Sequence, residues 1–417
     1  MPAAMSSNPS SYASHATAPA RVWQYILAGF SASLVSIGLA RFAYAPLVPP
    51  LIDAHWFSAS NVVFLGAANL AGYLVGALVA HPLARRSSSV ATLRAMMVLV
   101  TVAFVACAWP VSVTWFFIWR LASGVAGGTI MVLAAATILP HVPRERRGLA
   151  SGAIFLGIGV GIAGSGTVVP MLLGSGLRST WIGLAALSAV LTAATWFAWP
   201  HRHDSAAIAS AGAAVRAGEH GQRLDRGVVL LFLQYGLMAV ALVPAMVFLV
   251  DFVARGLGAG AHAGAQFWVV YGVGAIAGPP LYGWLADRLG ARRALRLTLA
   301  VQAIAVGVFW LSGSMLCLAA ATMAVGTFPP GIVPLALARL HERLHDHVSQ
   351  SRAWSRATIS FAACQALAGY AYSAVFAANG GNHRPLFGIA LGALVIALAS
   401  DLAIPELWLA RAHAAQR

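Results

Sequence analysis

Apolar residues occupy this chain in long unbroken runs rather than in amphipathic stripes. Twelve stretches of about 18 residues or more carry almost no charge, at roughly 22–50, 59–82, 91–110, 114–139, 148–173, 179–200, 227–251, 265–286, 293–312, 314–338, 354–377 and 385–405. A helix of that length spans the ~30 Å hydrocarbon layer of a bilayer, whereas a helix on a soluble globule keeps one polar face. The pattern therefore predicts an all-α membrane protein with twelve transmembrane helices. Residues 1–20, rich in Ser and Ala, are expected to be a disordered tail, and the first span is too long for a signal-peptide core. A second polar stretch, 201–226, splits the spans six and six. It reads as a cytoplasmic linker between six-helix bundles at 21–200 and 227–405, with a C-terminal tail at 406–417.

Composition sharpens this reading. Of 417 residues, 60% are hydrophobic and 9% charged, against about 25% charged in soluble domains. A soluble multidomain enzyme is excluded. The net charge of +15 comes from 26 basic residues, all Arg, against 11 acids. Such a balance suggests nucleic acid until the Arg positions are mapped. The tails and even-numbered loops hold 21 of them, from Arg21, Arg85 and Arg86 to Arg411 and Arg417, whereas the odd loops hold Arg178, Arg255 and Arg384. Basic loops stay in the cytoplasm, so the charge reports orientation in a bacterial inner membrane, with both termini inside, and not nucleic-acid binding. The three cysteines, Cys107, Cys317 and Cys364, fall within apolar runs and read as buried free thiols.

The two halves align with each other. Gly38, Pro46 and Asp53 match Gly236, Pro244 and Asp251 at an offset of 198, and Gly72 and Gly76 match Gly274 and Gly278 at an offset of 202. The following loops keep register, HPLARRSSSVATLR (81–94) over GWLADRLGARRALR (283–296). A repeated bundle implies two bodies that rock about a site at the bilayer midplane.

On these residues the chain resembles major facilitator superfamily transporters. GWLADRLGARR (283–293) is similar to the superfamily's loop signature between the second and third helices of each half, and Arg120 in RLASGVAGG to its fourth-helix Arg motif. IGLARFAYAPLVPPLI (37–52) and ANLAGYLVGAL (68–78) resemble the YbfB/YjiJ-type subgroup. The resemblance implies two pseudo-symmetric six-helix bundles and alternating-access transport. The chain departs from the pattern where Arg85 takes the Asp position of the first loop, where His81 and Ser88 replace its glycines, and where GIGVGIAGSG (157–166) lacks the antiporter Gly-Pro. Organophosphate antiporters of the superfamily place a first-helix Arg as Arg41 stands here, but Ala239 holds the position symmetric to it.

Arg41 and Arg120 are the two arginines inside spans, with no Asp or Glu at mid-membrane. Arg41 lies twelve residues, or about 18 Å, inside Asp53. A guanidinium in hydrocarbon costs several kcal/mol and cannot shed its proton, so it needs water, a partner or an anion. Both are expected to face an electropositive chamber suited to a carboxylate or phosphate, although a structural Arg capping backbone carbonyls at a helix break fits the same residues. Tyr44, three residues after Arg41, is expected on its face. Asn69, Tyr73, Gln234, Tyr235, Gln266, Tyr271, Gln365 and Tyr370 could complete a pocket, each equally able to make an interhelical hydrogen bond. GTFPPGIVP (326–334) predicts a bend in the tenth span. Gly72/Gly76, Gly124/Gly128 and Gly157/Gly161 permit close helix approach.

Gating is expected at two ends. Asp287, Arg288, Arg292 and Arg293 form a cytoplasmic charge cluster, and Asp53 and Asp251 are symmetry mates at the outer mouth, as a latch, a proton relay or solvated loop acids. His341 to His345 spells HExxH, a zinc-protease pattern, but the repeat places its flanking spans in transporter halves, and no metal or cofactor is expected. The leading expectation is a monomeric secondary carrier of a small organic anion, with protons or a counter-anion as coupling partner. Proton-coupled efflux of hydrophobic compounds is the alternative.

Overall fold

The computed structural model describes residues 19–143, 146–200, 226–344 and 347–403, so the expected tails and the linker at 201–226 fall almost wholly outside the described residues. Every described element is helical. We number the spans α1 (Arg21–Asp53), α2 (Ala59–Arg86), α3 (Ser89–Cys107), α4 (Val113–His141), α5 (Arg147–Leu173), α6 (Leu177–Ala194), α7 (Gly227–Gly256), α8 (Gly260–Leu289), α9 (Ala291–Leu311), α10 (Met315–Gly326 with Phe328–Leu340), α11 (His347–Ala378) and α12 (Arg384–Ala403). Eleven are long and apolar enough to cross a membrane, and the two pieces of α10 supply the twelfth. The side chains of Ser58, Ser88 and Ser112 accept from the amides of Asn61, Ala91 and Trp115, giving α2, α3 and α4 sharp starts.

The repeat survives as packing. A Cβ at Gly72 or Gly76 would clash with the carbonyl oxygens of Leu121 or Val125, and one at Gly124 with that of Asn69, so α2 and α4 touch backbone to backbone. The second half repeats this: Gly274 and Gly278 of α8 face the carbonyls of Met323 and Thr327, and Gly326 of α10 faces that of Tyr271. Gly326 is Gly124 moved by the same offset of 202. In the first half, Gly157 and Gly161 of α5 seat against Phe30 and Gly38 of α1.

Two spans are broken where proline removes backbone donors. α1 winds as a π-helix over Leu34–Leu39 and as a 3₁₀-helix over Phe42–Leu47, with Pro46 inside and Pro49 and Pro50 just beyond. α10 bends by 41° between Gly326 and Phe328, as its Pro-rich run predicts. There Gln302 Nε2 donates to the Ala324 carbonyl at 2.8 Å, beside the Thr327 hydroxyl that donates to the same oxygen at 2.7 Å, and the Tyr282 and Thr327 hydroxyls pair at 2.8 Å.

The halves meet along α2 with α11 and α5 with α8. Gly369 admits Ala67 and Leu70, while Gly159 and Gly166 admit Ile276 and Val269. These contacts run from the middle of the helices to the end bearing the α1–α2 and α7–α8 loops. One expectation is corrected: Cys107 is buried and Cys364 half-buried, but Cys317 is exposed on α10 beside exposed Leu316. An apolar run does not distinguish a core face from a lipid face, because both are greasy.

Gly124→Ala and Gly326→Ala should each destabilise by about 1–3 kcal/mol, the range for overpacking. Gly148→Ala and Gly152→Ala, where an added Cβ meets nothing within 4 Å, should leave the unfolding temperature of the detergent-purified protein unchanged or slightly raised.

Candidate functional site

The break in α1 sets the site. Where π gives way to 3₁₀ winding, at Arg41, the Ala40 carbonyl accepts from Arg120 Nη1 at 2.6 Å. Arg120 is 3% exposed, and its guanidinium lies 4.1 Å from the centre of the Tyr44 ring. The Tyr44 hydroxyl in turn donates to the Val62 carbonyl at 2.7 Å. Tyr44 thus faces Arg120 and the first bundle's core rather than sharing a face with Arg41, because the α-helical register that the three-residue spacing assumes is lost at Arg41 itself. Arg120 does not line an open chamber. It closes the break.

Arg41 is half-buried. Its Nη2 donates to Gln365 Oε1 of α11, across the two halves, and its guanidinium lies 4.7 Å from the Tyr73 ring centre. Its Nε is buried without a partner, and no carboxylate pairs with it among the described residues. Gln365 Nε2 approaches Met246 Sδ at 3.6 Å. Trp268 and Tyr271 of α8 stack in parallel at 4.9 Å, with Phe42 6.1 Å from Trp268. Trp268 Nε1 reaches back across the halves to Ser165 Oγ at 3.0 Å, while the buried Tyr271 hydroxyl has no partner among the described residues. Arg41, Tyr73, Gln365 and the Trp268–Tyr271 stack surround the junction of the two bundles.

Other expected members lie elsewhere. Asn69 Nδ2 donates to Ser123 Oγ at 2.9 Å, a bond between α2 and α4. Gln234 donates to the Ala397 carbonyl of α12. Tyr235 packs on Phe361 at 4.5 Å. Gln266 is exposed and pairs with His262 one turn earlier. Tyr370 is half-buried beside Phe64, on the seam of α2 and α11.

The gating expectations divide as well. Asp53 is exposed, but its mate Asp251 is 0% exposed. Asp251 accepts from Arg255 Nε at 2.5 Å and pairs with His383 Nε2 at 2.7 Å, under the rings of Phe248, Phe252 and Phe376. At the opposite end Asp287 and Arg293 are exposed, Asp287 has no partner among the described residues, and Arg288 rests on Trp284. Arg292 and Arg296 instead share Asp401, at 3.2 and 2.5 Å. Glu342 of the HExxH run accepts from the Ala291 amide at 2.9 Å and from Arg339 Nη1 at 2.8 Å, while His345 lies outside the described residues. Among the described residues no three His, Cys, Asp or Glu side chains cluster as metal ligands.

Sequence reasoning missed His383, Ser165 and Asp401. Asp401 carried a usable signal, since an acid inside an apolar run needs a partner. His383 and Ser165 carried none.

Twelve spans in two glycine-matched halves meeting at an arginine define a carrier of the major facilitator type. The chain belongs to the family described as the uncharacterised MFS-type transporter YbfB, which it matches over residues 33–402. A probable transporter of Streptomyces coelicolor is 29% identical over 206 residues, covering 45% of this chain and 47% of that protein. The match thus spans about half the length of that curated relative. Two solved structures share the fold: a D-xylose–proton symporter (17% identity, TM-score 0.74, 91% of this chain and 97% of that one) and the proton:xylose symporter XylE bound to 6-bromo-6-deoxy-D-glucose (16%, 0.67, 91% and 95%). The protein is a multi-pass membrane transporter, and its family is not a class of enzymes.

Asp251→Asn should destabilise by about 3 kcal/mol, the lower range for breaking a buried ion pair, because Arg255 retains some solvent. Asp53→Asn should leave the unfolding temperature unchanged, so one scan of both variants separates the symmetry mates.

Proposed function

We propose that this transporter carries a small organic anion, a carboxylate in the first instance, by alternating access, with Arg41 as its anion-binding residue. The observation that carries this reading is a half-buried guanidinium at the junction of the bundles whose hydrogen-bond acceptor is the neutral amide of Gln365, with no carboxylate to balance it among the described residues. A carboxylate arriving at Arg41 would replace an amide oxygen by a charged one, and a guanidinium–carboxylate pair carries charge on both partners and can bond through two parallel N–H groups. It would free Gln365, and with it a polar tie between α1 and α11. Binding and release of that tie would be one event, the coupling that alternating access needs. Tyr73 and the Trp268–Tyr271 stack offer flat faces for an apolar or aromatic body, and the unpartnered Tyr271 hydroxyl offers a hydrogen bond once the halves part. Arg120 is read as structural support for the α1 break, not as a ligand.

The Arg-rich loops at the Asp287 end support placing that end in the cytoplasm, with the protein in a bacterial inner membrane. In that orientation the glycine contacts between the halves lie toward the outer side, and Asp287 is exposed, which supports a reading of this conformer as inward-facing with its cytoplasmic latch released. A proton carried with the anion, or an anion exchanged for it, would balance its charge.

The test is a thermal-shift screen of the purified protein against organic acids, since a ligand of the folded state raises apparent stability, followed by uptake into proteoliposomes. Arg41→Ala should abolish both the shift and the transport of the responding acid. Arg41→Lys should restore little, because a point charge lacks the planar fork. Gln365→Ala should retain binding. An Arg41→Ala protein that still moves its substrate would support efflux of hydrophobic compounds instead.

A further inference from the structure

Away from Arg41, at the Asp287 end of the second bundle, a cavity of about 500 Å³ opens between the start of α9 and the end of α10. Arg292, Arg293, Arg296 and Arg339 line it, with Glu342, Gly290 and Leu289. Asp401 answers Arg292 and Arg296, and Glu342 answers Arg339, so among the described residues four guanidinium groups meet two carboxylates, an excess of two positive charges. Arg293 is exposed and has no partner among the described residues.

Beside the cavity, α9 lacks a side-chain cap of its own. In the first half the equivalent helix start is closed by Ser88, whose hydroxyl accepts from the Ala91 amide at 3.1 Å. In the second half that place is taken by Gly290, at φ +77° and without a side chain, and the Ala291 amide borrows a carboxylate oxygen from Glu342, 51 residues away. An oxyanion therefore already sits where the α9 dipole and the Arg339 guanidinium favour negative charge. That oxyanion is on a side chain 39% exposed, near the end of α10, free to swing away. Leu289, 40% exposed on the rim, continues the cavity into an apolar surface.

We propose that this cavity is a binding site for a phosphate group, held by Arg293 and Arg339 with the first-turn amides of α9, and that Glu342 occupies it when the phosphate is absent. The group could be the head of an anionic phospholipid or a free phosphate. Basic pockets between transmembrane helices suit the first, and planar guanidinium forks suit both.

The experiment measures thermal unfolding of the full chain in two arms. In nanodiscs, phosphatidylcholine alone is compared with phosphatidylcholine plus phosphatidylglycerol. In detergent, inorganic phosphate and pyrophosphate are titrated against chloride at equal ionic strength. A rise only with phosphatidylglycerol assigns the lipid headgroup, and a rise with soluble phosphate assigns the free group. Arg293→Ala should weaken the response about fivefold, the worth of one basic residue near an anionic surface. Glu342→Gln should strengthen it, by removing the competing carboxylate. Arg85→Ala, in the matching loop of the first half, should leave it unchanged. Each shift is read against the variant's own baseline, so a change in folding stability does not mask the effect. No rise in either arm, or an unaltered response in Arg293→Ala, overturns the site. Arg41 takes no part in the assay, so its failure and the failure of the transport reading remain separate.

Discussion

The structure turns on how a guanidinium can be kept inside a membrane. It stays charged, and hydrocarbon penalises it by several kcal/mol, so the chain must supply acceptors at that depth. A continuous helix has none to spare, because its carbonyls are already bonded. The break in α1 supplies one: the Ala40 carbonyl, freed where π winding meets 3₁₀, takes Arg120, and Tyr44 lays its ring on the same group. Proline at 46, 49 and 50 removes backbone donors in the turns that follow the break. With Arg120 bonded through Nη1 inside the first bundle, Arg41 is left at the seam, bonded to a neutral amide of the other half.

That arrangement links packing to movement. Glycine pairs bring helix backbones into contact within each bundle, between α2 and α4 and between α8 and α10, and fix each as a rigid body. Between the bundles the polar ties among the described residues are hydrogen bonds without a carboxylate: Arg41 to Gln365 and Trp268 to Ser165. Ion pairs are kept within the second half, Asp251 with Arg255 and His383, and Asp401 with Arg292 and Arg296. Breaking a buried ion pair costs about 3–5 kcal/mol, whereas a neutral hydrogen bond is worth about 1, and one with a single charged partner about 1.5–3. A seam built of the weaker kind can part without unfolding either body.

The repeat is faithful in backbone contacts and unfaithful in polar chemistry. Gly124 and Gly326 do the same job, since steric exclusion at a helix crossing does not depend on what lies nearby. Asp53 and Asp251 do not. One meets water, while the other meets a histidine that the α11–α12 connection brings in. Ser88 and Gly290 differ in the same way, and the borrowed Glu342 is the consequence.

The sequence by itself determined the membrane class, the twelve spans, the duplication, the bend in α10 and the two unusual arginines. Hydrophobic length, proline and charge are local quantities that a membrane reads one helix at a time. Resemblance in two short motifs added the superfamily, which the match over residues 33–402 bears out. Tertiary structure alone decided that Arg120 supports a carbonyl while Arg41 faces Gln365, that Gln266 and Tyr370 stand apart from the junction, that Cys317 is exposed, and that Arg292 serves Asp401 rather than Asp287. Each of those outcomes depends on which face of a uniformly apolar helix turns inward. In a bilayer hydropathy does not encode that choice, because lipid and protein interior are equally apolar, and the partners that settle it lie up to 324 residues away along the chain.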